Sequence, residues 1–312
     1  MNHPIEYHTA PTARDLDTPA VRRAQFLCER DFIGAALPRP IERVLPPAAP
    51  APADGPLDFS DALGTPWPAT LPSLLAGTHA LEGGALRELG ADCGARILLV
   101  VEGGGELRCG GDIAALAAGD ILAVPGGQPC TLSAGTDGLR IFYVDDSPMA
   151  RYFGWSVQPD ARSALTHWPA ELLARRLEET AADGITASGV FLSHDGLPKE
   201  RLATPNLFAH LNRLAPGATN TVHAHAAAAI TYVIQSNPQS YSVLGEQVEG
   251  SEIVDGQRVD WHDGQVSITP PNLWHSHHND GDSTILSLVV QLSGVYYNDR
   301  TMNFVFAEPP GA

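Results

Sequence analysis

The chain has 312 residues, 44% of them hydrophobic, and its 36 acidic and 19 basic side chains give a formal net charge of −17 at pH 7. This length allows two domains with separate cores, and the composition excludes a disordered or collagen-like chain. The acidic balance, without any cluster of lysine or arginine, argues against a nucleic-acid partner and against an anionic membrane surface. We therefore expect small-molecule partners.

The amino-terminal region predicts a helix followed by an extended arm. It lacks a basic start followed by an apolar run, and nowhere is the chain apolar enough to span a bilayer, so we expect a cytoplasmic protein. Thr18 is a suitable N-cap for a helix that packs on a barrel or a partner subunit through Val21, Leu27 and Phe32. Residues 45–56 are rich in proline and alanine, which favours a solvated arm.

Most of the remaining chain carries the pattern of antiparallel β structure. Short apolar runs alternate with glycine turns over residues 75–145 and again over residues 191–306, with a capped helix predicted over residues 168–184. The phrase GDILAVP at 119–125 resembles GQVSITP at 264–270, which indicates a duplicated barrel. The predicted fold class is therefore all-β, with two double-stranded β-helix (jelly-roll) barrels and a few peripheral helices.

These signals divide the chain into four parts. Residues 1–56 hold the amino-terminal helix and the Pro/Ala-rich arm, and residues 57–160 hold the first barrel. A helical connector over residues 161–190 leads to the second barrel at residues 191–312. We expect each barrel to form its own core.

The cysteine pattern gives no sign of a metal ribbon or a redox motif. The chain has four cysteines and they form no C-x-x-C pair. We therefore expect buried, reduced thiols at Cys28, Cys93, Cys109 and Cys130.

Histidines in the second barrel carry the strongest chemical signal. His223 and His225 are separated by one residue, so on a β-strand both side chains point to the same face. With His275 from a later strand they are predicted to hold one divalent metal, because three neutral imidazoles leave further coordination positions open. The first barrel has no histidine between His79 and His167, so we predict that it is a degenerate, metal-free barrel.

The residues that follow His275 receive different roles. His277 shares its face, so we predict a catalytic residue that carries protons beside the metal or competes as a ligand. His278 is expected to face outward because adjacent strand residues alternate, and Asn279 is expected in a turn. The other histidines have no partner at a suggestive spacing and are interpreted as ordinary: His3, His8, His79, His167, His194, His210 and His262.

These residues resemble the cupin superfamily, and within it the bicupin gentisate and salicylate 1,2-dioxygenase group. That group carries H-x-H followed by P-x-x-W-H-x-H-x-N. The matching residues here are His223, His225, Pro271, Trp274, His275, His277 and Asn279. The motif is specific for a metal-binding cupin and less specific for a reaction.

The resemblance implies a dioxygenase that uses O2 to cleave a hydroxylated aromatic or related enolisable small molecule. It implies Fe(II) held by the three histidines, with Mn, Ni and Zn as alternatives, and a histidine near the substrate at His277. Bicupin analogy also implies a homo-oligomer, either a dimer or a tetramer. Further candidates for substrate binding are Tyr232, Trp274, Gln291 and Arg213.

The sequence departs from the resembling group in two respects, and from the wider superfamily in a third. Its metal motif lies in the second barrel, whereas the group usually has its metal in the first. The arginine that would hold a substrate carboxylate is replaced by Thr231, so Arg201 or Arg213 would have to supply that contact. The glutamate ligand common in the superfamily is also missing after His225, which favours a three-histidine site. Gentisate itself is therefore a poor candidate substrate.

Two other functions stay open from the sequence. A non-catalytic metabolite-binding cupin would use the metal only to stabilise its barrel. A cupin isomerase would use Zn, Ni or Mn as a Lewis acid. An apolar cavity that opens onto free coordination positions would favour an enzyme, and a closed site would favour a structural metal.

Overall fold

The computed structural model describes residues 17–25, 28–30, 39–158, 164–182, 184–197 and 201–307, and the chain divides into two compact units, Met1–Arg39 and Pro40–Ala312. In the smaller unit, Thr18 Oγ1 accepts a hydrogen bond from the Val21 N–H at 3.2 Å, and helix α1 (Pro19–Arg22) ends after four residues. The N-cap Thr18 was predicted correctly, but the predicted amphipathic helix is too long, because the helix ends at Arg22. A short helix without a buried face is only marginally stable, and Val21 is exposed. Leu27 and Phe32 lie outside the described residues.

The Pro/Ala-rich segment is not a solvated arm throughout. After a short 3-10 helix (Ile41–Arg43), strand β1 (Ala48–Pro50) pairs antiparallel with residues 265–267 of the second barrel. Proline is tolerated there because β1 lies at the edge of its sheet. The prediction of a solvated arm is therefore wrong for these strand residues.

The first barrel is an eight-stranded antiparallel sheet that folds over itself. Its two longest strands, β5 and β8, pair along three stretches separated by two register shifts, one on each side of Glu102–Gly103. A Cβ on Gly105 would lie 2.0 Å from the Ser133 carbonyl oxygen, so glycine permits this close approach. The interior is filled by apolar side chains such as Leu98, Leu107 and Leu132. The strands are β2 (Gly55–Pro56), β3 (Leu75–Leu81), β4 (Leu86–Leu89), β5 (Ala95–Cys109), β6 (Asp112–Ala117), β7 (Ile121–Pro125), β8 (Cys130–Asp145) and β9 (Thr166–Trp168).

The second barrel consists of two sheets and a small ribbon. The six-stranded sheet has the order β1-β18-β13-β20-β11-β10, the five-stranded sheet has the order β17-β14-β19-β12-β21, and β15 pairs with β16. Its strands are β10 (Ala187–Leu192), β11 (Leu207–Leu214), β12 (His223–Ala224), β13 (Ala229–Gln235), β14 (Ser240–Gly245), β15 (Gln247–Glu249), β16 (Glu252–Val254), β17 (Gln257–Asp260), β18 (Gln265–Thr269), β19 (Trp274–Asn279), β20 (Ile285–Leu292) and β21 (Val305–Phe306).

The two barrels repeat one topology. The order β3-β8-β5-β7 in the first barrel corresponds to β11-β20-β13-β18 in the second. The repeated phrase of the sequence falls on the matching strands β7 and β18. The fold is all-β with two jelly-roll barrels, as the sequence predicted.

A shared core joins the barrels within the larger unit. Phe142 of β8 stacks on Tyr232 of β13 with ring centroids 4.3 Å apart, and Leu173 is buried in the same cluster. The helices are peripheral: α2 (Ser60–Leu63), α3 (Ser147–Phe153), α4 (Ala170–Ala182) and α5 (Gly294–Asp299). Among the described residues, none of the helices has both the length and the apolar character needed to cross a membrane. The four-part division of the chain stays a prediction.

The expectation of reduced thiols is wrong for one pair of cysteines. Cys109 and Cys130 face each other across β5 and β8 and form a disulfide with their Cα atoms 4.2 Å apart. No sequence motif marks this contact, because the register of two long strands decides it. Cys93 is a buried thiol, as expected, whereas Cys28 is exposed, so the expectation of burial is wrong there.

Candidate metal centre

Three histidines converge inside the second barrel. His223 of β12 is the direct antiparallel partner of His275 of β19, and His225 follows β12 by one residue. The ring centroid of His275 lies 4.2 Å from that of His223 and 4.8 Å from that of His225. One ligand nitrogen from each ring lies within 4.8 Å of the others. The structure thus brings together the three residues predicted as metal ligands.

Backbone hydrogen bonds orient all three rings in the same way. The Nδ1 atoms of His223, His225 and His275 lie 2.7, 2.7 and 2.8 Å from the carbonyl oxygens of Thr221, Ala227 and Leu273. A carbonyl oxygen only accepts hydrogen bonds, so each Nδ1 carries the proton and each Nε2 keeps its lone pair. The three Nε2 lone pairs are therefore the available metal-binding atoms.

Burial keeps these imidazoles neutral. Desolvation lowers the pKa of His225 to about 4, and it lowers the pKa of His223 and of His275 as well. Mutual repulsion between neighbouring imidazolium charges adds to the shift for His225 and His275. Neutral imidazole is the form that binds a metal, so the site is ready for a cation near neutral pH.

The donor set fits a divalent metal with an incomplete protein shell. Imidazole nitrogen suits Fe, Zn, Ni and Cu, and three such ligands leave positions for small molecules. Gln291 Nε2 lies 3.2 Å from His225 Nε2, and Gln291 Oε1 accepts a hydrogen bond from Ser293 Oγ. The amide therefore approaches the site as a hydrogen-bond donor, which agrees with an unprotonated Nε2 on His225.

A cavity of about 440 Å³ opens onto the three histidines. Its walls are mainly apolar and aromatic, with Phe191, Phe208, Phe304 and Phe306 among the lining residues. Phe304 stacks on His223 with ring centroids 5.2 Å apart. Phe191, Phe304 and Phe306 are partly solvent-exposed, so aromatic rings surround the mouth of the cavity. The site is open to a small molecule.

His277 lies beside the metal-binding group and lines the same cavity. Its Nδ1 is 2.8 Å from Ser242 Oγ. The same oxygen accepts a hydrogen bond from Trp261 Nε1 at 2.8 Å. Each of these polar hydrogens has an acceptor if the Ser242 hydroxyl donates to Nδ1. In that arrangement the ring proton of His277 is on Nε2. Desolvation lowers the pKa of His277 to about 3, so the ring is neutral near pH 7.

The neighbours of His277 differ in part from expectation. His278 is turned away from the cavity, as predicted, and its ring stacks on Tyr241 with centroids 4.6 Å apart. The prediction that Asn279 is a turn residue is wrong, because it is fully buried at the end of β19. Asn279 Nδ2 donates to the carbonyl oxygens of Leu214, Ala215 and Ser283.

The four residues predicted to bind substrate do not all reach the cavity. Gln291 lines it, but Tyr232, Trp274 and Arg213 do not. Each of these three alternates with a cavity residue on the same strand: Tyr232 follows Thr231, Trp274 precedes His275, and Arg213 follows Asn212. Successive strand side chains point to opposite faces, so these predictions are corrected.

His210 is a cavity residue that the sequence analysis treated as ordinary. Its ring lies between Phe191 and Phe208, with centroids 5.4 and 5.2 Å away, and its Nδ1 is buried and has no hydrogen-bond partner within the described part of the chain. Burial lowers its pKa to about 3. In the sequence, the one signal for His210 is its alternation with Asn212 on β11. That signal indicates a cavity residue once β11 is known to pair with β20.

Comparison with known proteins gives partial matches. No family model matches the chain. A 1-hydroxy-2-naphthoate 1,2-dioxygenase from Nocardioides sp. (strain KP7) is 29% identical over 108 residues, which are 35% of this chain and 24% of that protein. A gentisate 1,2-dioxygenase from Aquipseudomonas alcaligenes is 29% identical over 136 residues, which are 42% of this chain and 36% of that protein. The matches thus span well under half the length of these curated relatives.

Solved structures extend the likeness to most of the chain. A salicylate 1,2-dioxygenase from Pseudaminobacter salicylatoxidans superposes with a TM-score of 0.62 and 14% identity, covering 76% of this chain and 75% of that one. An oxalate decarboxylase from Lactobacillus farciminis has a TM-score of 0.54 and 14% identity, covering 80% of this chain and 86% of that one. At these identities the likeness shows the fold alone.

The fold, which is shared with these solved structures, and the three converging histidines define a protein of two jelly-roll barrels with a candidate metal site in the second barrel. More particularly, the chain resembles the gentisate and salicylate 1,2-dioxygenase group, as the histidine motif predicted.

Proposed function

We propose that this protein is an Fe(II)-dependent dioxygenase that cleaves a hydroxylated aromatic or related enolisable small molecule with O2. The observation that carries the proposal is the cavity of about 440 Å³ that opens onto three imidazoles. A purely structural metal is normally enclosed by four protein ligands, whereas a catalytic metal keeps an open position. The dioxygenase relatives support the reaction class.

In this proposal His223, His225 and His275 hold the ferrous ion through their Nε2 atoms. Iron bound there would supply coordination positions for a chelating substrate and for O2, and would pass electrons from the substrate to O2. The protein contributes neutral ligands, aromatic walls that exclude water, and the Nε2–H group of His277 as a hydrogen-bond donor beside the substrate. The Gln291 amide N–H lies at His225 Nε2, and once iron takes that lone pair the amide would donate to the bound substrate instead.

The test is reconstitution with Fe(II) without oxygen, followed by O2 uptake against hydroxylated aromatics and enolisable ketones. The proposal expects consumption of one O2 per substrate, with both atoms of labelled oxygen in a ring-opened or chain-cleaved product. The His223→Ala variant and the Zn(II)-loaded protein serve as inactive controls. Elemental analysis of protein purified without chelator identifies the native metal. No turnover with any chelating substrate would contradict the proposal.

We also propose a cytoplasmic homo-oligomer, either a dimer or a tetramer. An exposed aromatic group supports an interface, since Tyr152, Phe153 and Trp155 are 72%, 52% and 52% exposed. Tyr152 meets Phe153 edge to face, and Phe153 stacks on Trp155. A monomer in light scattering would contradict this.

A further inference from the structure

The polar groups of the metal-facing cavity are uncharged. Within the described part of the chain, its lining includes no lysine, arginine, aspartate or glutamate. The polar side chains outside the metal-binding group are imidazoles (His210, His277), amides (Asn212, Asn220, Gln291) and hydroxyls (Thr231, Thr269, Tyr297). Such groups can hydrogen-bond to a ligand but cannot neutralise a charge.

This lining makes a substrate carboxylate costly to bury. A carboxylate that leaves water needs a cationic partner or several hydrogen-bond donors, and the metal can offset only the charge that it directly contacts. Thr231, which is 2% exposed, occupies the wall where a bidentate arginine contact would be expected. Nearby aromatic rings favour a planar, apolar body instead.

His210 supplies a polar contact on the aromatic side of the cavity. Its ring packs against Phe191 and Phe208 and is only partly buried, and the residue lines the cavity. Its Nδ1 is buried and has no hydrogen-bond partner among the described residues, so Nε2 is the ring nitrogen that can reach a ligand. A ligand hydroxyl bound at this mainly apolar wall would find its hydrogen-bond partner there.

We propose that the cavity selects an uncharged aromatic ketone or phenol over the corresponding carboxylate, and that His210 hydrogen-bonds to a hydroxyl of this substrate remote from the metal. The inference rests on the proposed function in one respect, namely that the substrate chelates a metal held by the three histidines. It names the substrate class and one specificity-determining residue, neither of which follows from the metal site alone.

Two probes of nearly the same shape test the substrate class. The full chain is loaded with Co(II), and binding of 2′,5′-dihydroxyacetophenone and of 2,5-dihydroxybenzoate is followed without oxygen through the visible absorption of cobalt. We expect the ketone to bind at least ten-fold more tightly. In Thr231→Arg, checked for metal content and folding, the ratio should move at least ten-fold toward the carboxylate. Tighter or equal binding of the carboxylate to wild type, or binding of neither probe, would overturn the inference.

A second comparison isolates His210. In His210→Phe, binding of 2′,5′-dihydroxyacetophenone should weaken about ten-fold, whereas binding of 2′-hydroxyacetophenone, which lacks the distal hydroxyl, should be unchanged. His210→Asn keeps a hydrogen-bond donor and should recover part of the loss. An equal effect of His210→Phe on both ketones would show a structural role and overturn the assignment. This pair of variants carries the test even if Thr231→Arg does not fold.

These binding measurements separate the inference from the proposed function. Cobalt binding of the probes requires no reaction with O2. If the ketone is preferred and the Fe(II) protein consumes no O2 with any substrate, the inference stands and the dioxygenase proposal fails. If a carboxylate is preferred and also cleaved, the dioxygenase proposal stands and the inference fails.

Discussion

His223 lies directly opposite His275 on the neighbouring antiparallel strand, and their ring centroids are 4.2 Å apart. The strand that carries His223, β12, has only two residues, and it also pairs with the short carboxy-terminal strand β21. A metal ion bound by both histidines would therefore tie a short strand to the long strand β19. Metal binding is expected to support the wall of the cavity as well as the chemistry.

The first prediction concerns removal of the metal. A ligand that binds only the folded state at 100 times its Kd adds about 2.7 kcal/mol to the free energy of unfolding. Chelation should lower Tm by several degrees and increase hydrogen exchange around β12 and β21. The measurement is thermal unfolding with and without chelator. His223→Ala should show no response to chelator, and an unchanged wild-type Tm would contradict the prediction.

The second prediction compares two adjacent histidines. His277→Phe removes the Nε2–H group from the cavity, so kcat should fall about 10²-fold or more while the metal content stays at the wild-type level. His278→Phe is the matched control, because that ring faces away from the cavity and its stacking on Tyr241 is retained. Steady-state kinetics and elemental analysis check both variants. Equal losses in the two variants would argue against a catalytic role for the His277 N–H group.

The third prediction tests the hydrogen bonds behind His277. Ser242→Ala leaves His277 Nδ1 and the Trp261 N–H without their partner, and each buried unpaired group costs about 1–3 kcal/mol. We expect a lower Tm, a reduced kcat with unchanged metal content, and an altered pH profile. Trp261→Phe removes the indole N–H together with part of a buried ring, so Tm should fall, but Ser242 keeps its hydrogen bond to His277 and the pH profile should stay as in wild type. An unaltered pH profile in Ser242→Ala would mean that the serine has only a structural role.

The fourth prediction is a pH dependence of the metal-free protein. In the folded state the pKa of His225 is about 4 and those of His210 and His277 are about 3, against an ordinary value of 6.5. The unfolded chain therefore binds protons first as the pH falls, which favours unfolding. The stability from these neutral rings is complete above about pH 6.5 and is lost progressively toward pH 4 and below. Tm should fall between pH 7 and pH 5, and the slope should be smaller in His277→Gln. An identical slope would contradict the assignment.

The fifth prediction concerns Asn279, the buried end of the histidine motif. Its amide donates to three carbonyl groups, and no water can replace it at a fully buried position without rearrangement. Asn279→Ala should lower the free energy of unfolding by about 2–4 kcal/mol, while the folded fraction still binds metal. Denaturant unfolding measures the change, with the exposed Asn298→Ala as control. Loss of metal without loss of stability would instead place Asn279 in the site.

Strand alternation explains which parts of the site could be predicted from sequence. Local strand geometry is enough to predict that His223 shares a face with His225, and His275 with His277. An i, i+2 pattern needs no knowledge of the rest of the fold. The same rule places Trp274 on the opposite face once His275 points inward. The position of Tyr232 depends on the first barrel, since its ring packs on Phe142 across the shared core.

Other features depend on contacts between distant segments. His210 enters the cavity through the register of β11 with β20, and Phe304 and Phe306 arrive from the carboxy-terminal segment beside β12. Trp261 reaches Ser242 across a gap of 19 residues. No local pattern marks these residues, because strand order and register decide which side chains meet.

Anaerobic titration of the metal-free chain with Co(II) tests the central claim most directly. The account predicts one tightly bound equivalent in wild type, visible absorption typical of cobalt with imidazole ligands, and no such binding in His223→Ala or His275→Ala. His278→Phe should bind as wild type does. Absence of binding in wild type, or a full equivalent retained in either alanine variant, would contradict a metal centre built from these three histidines.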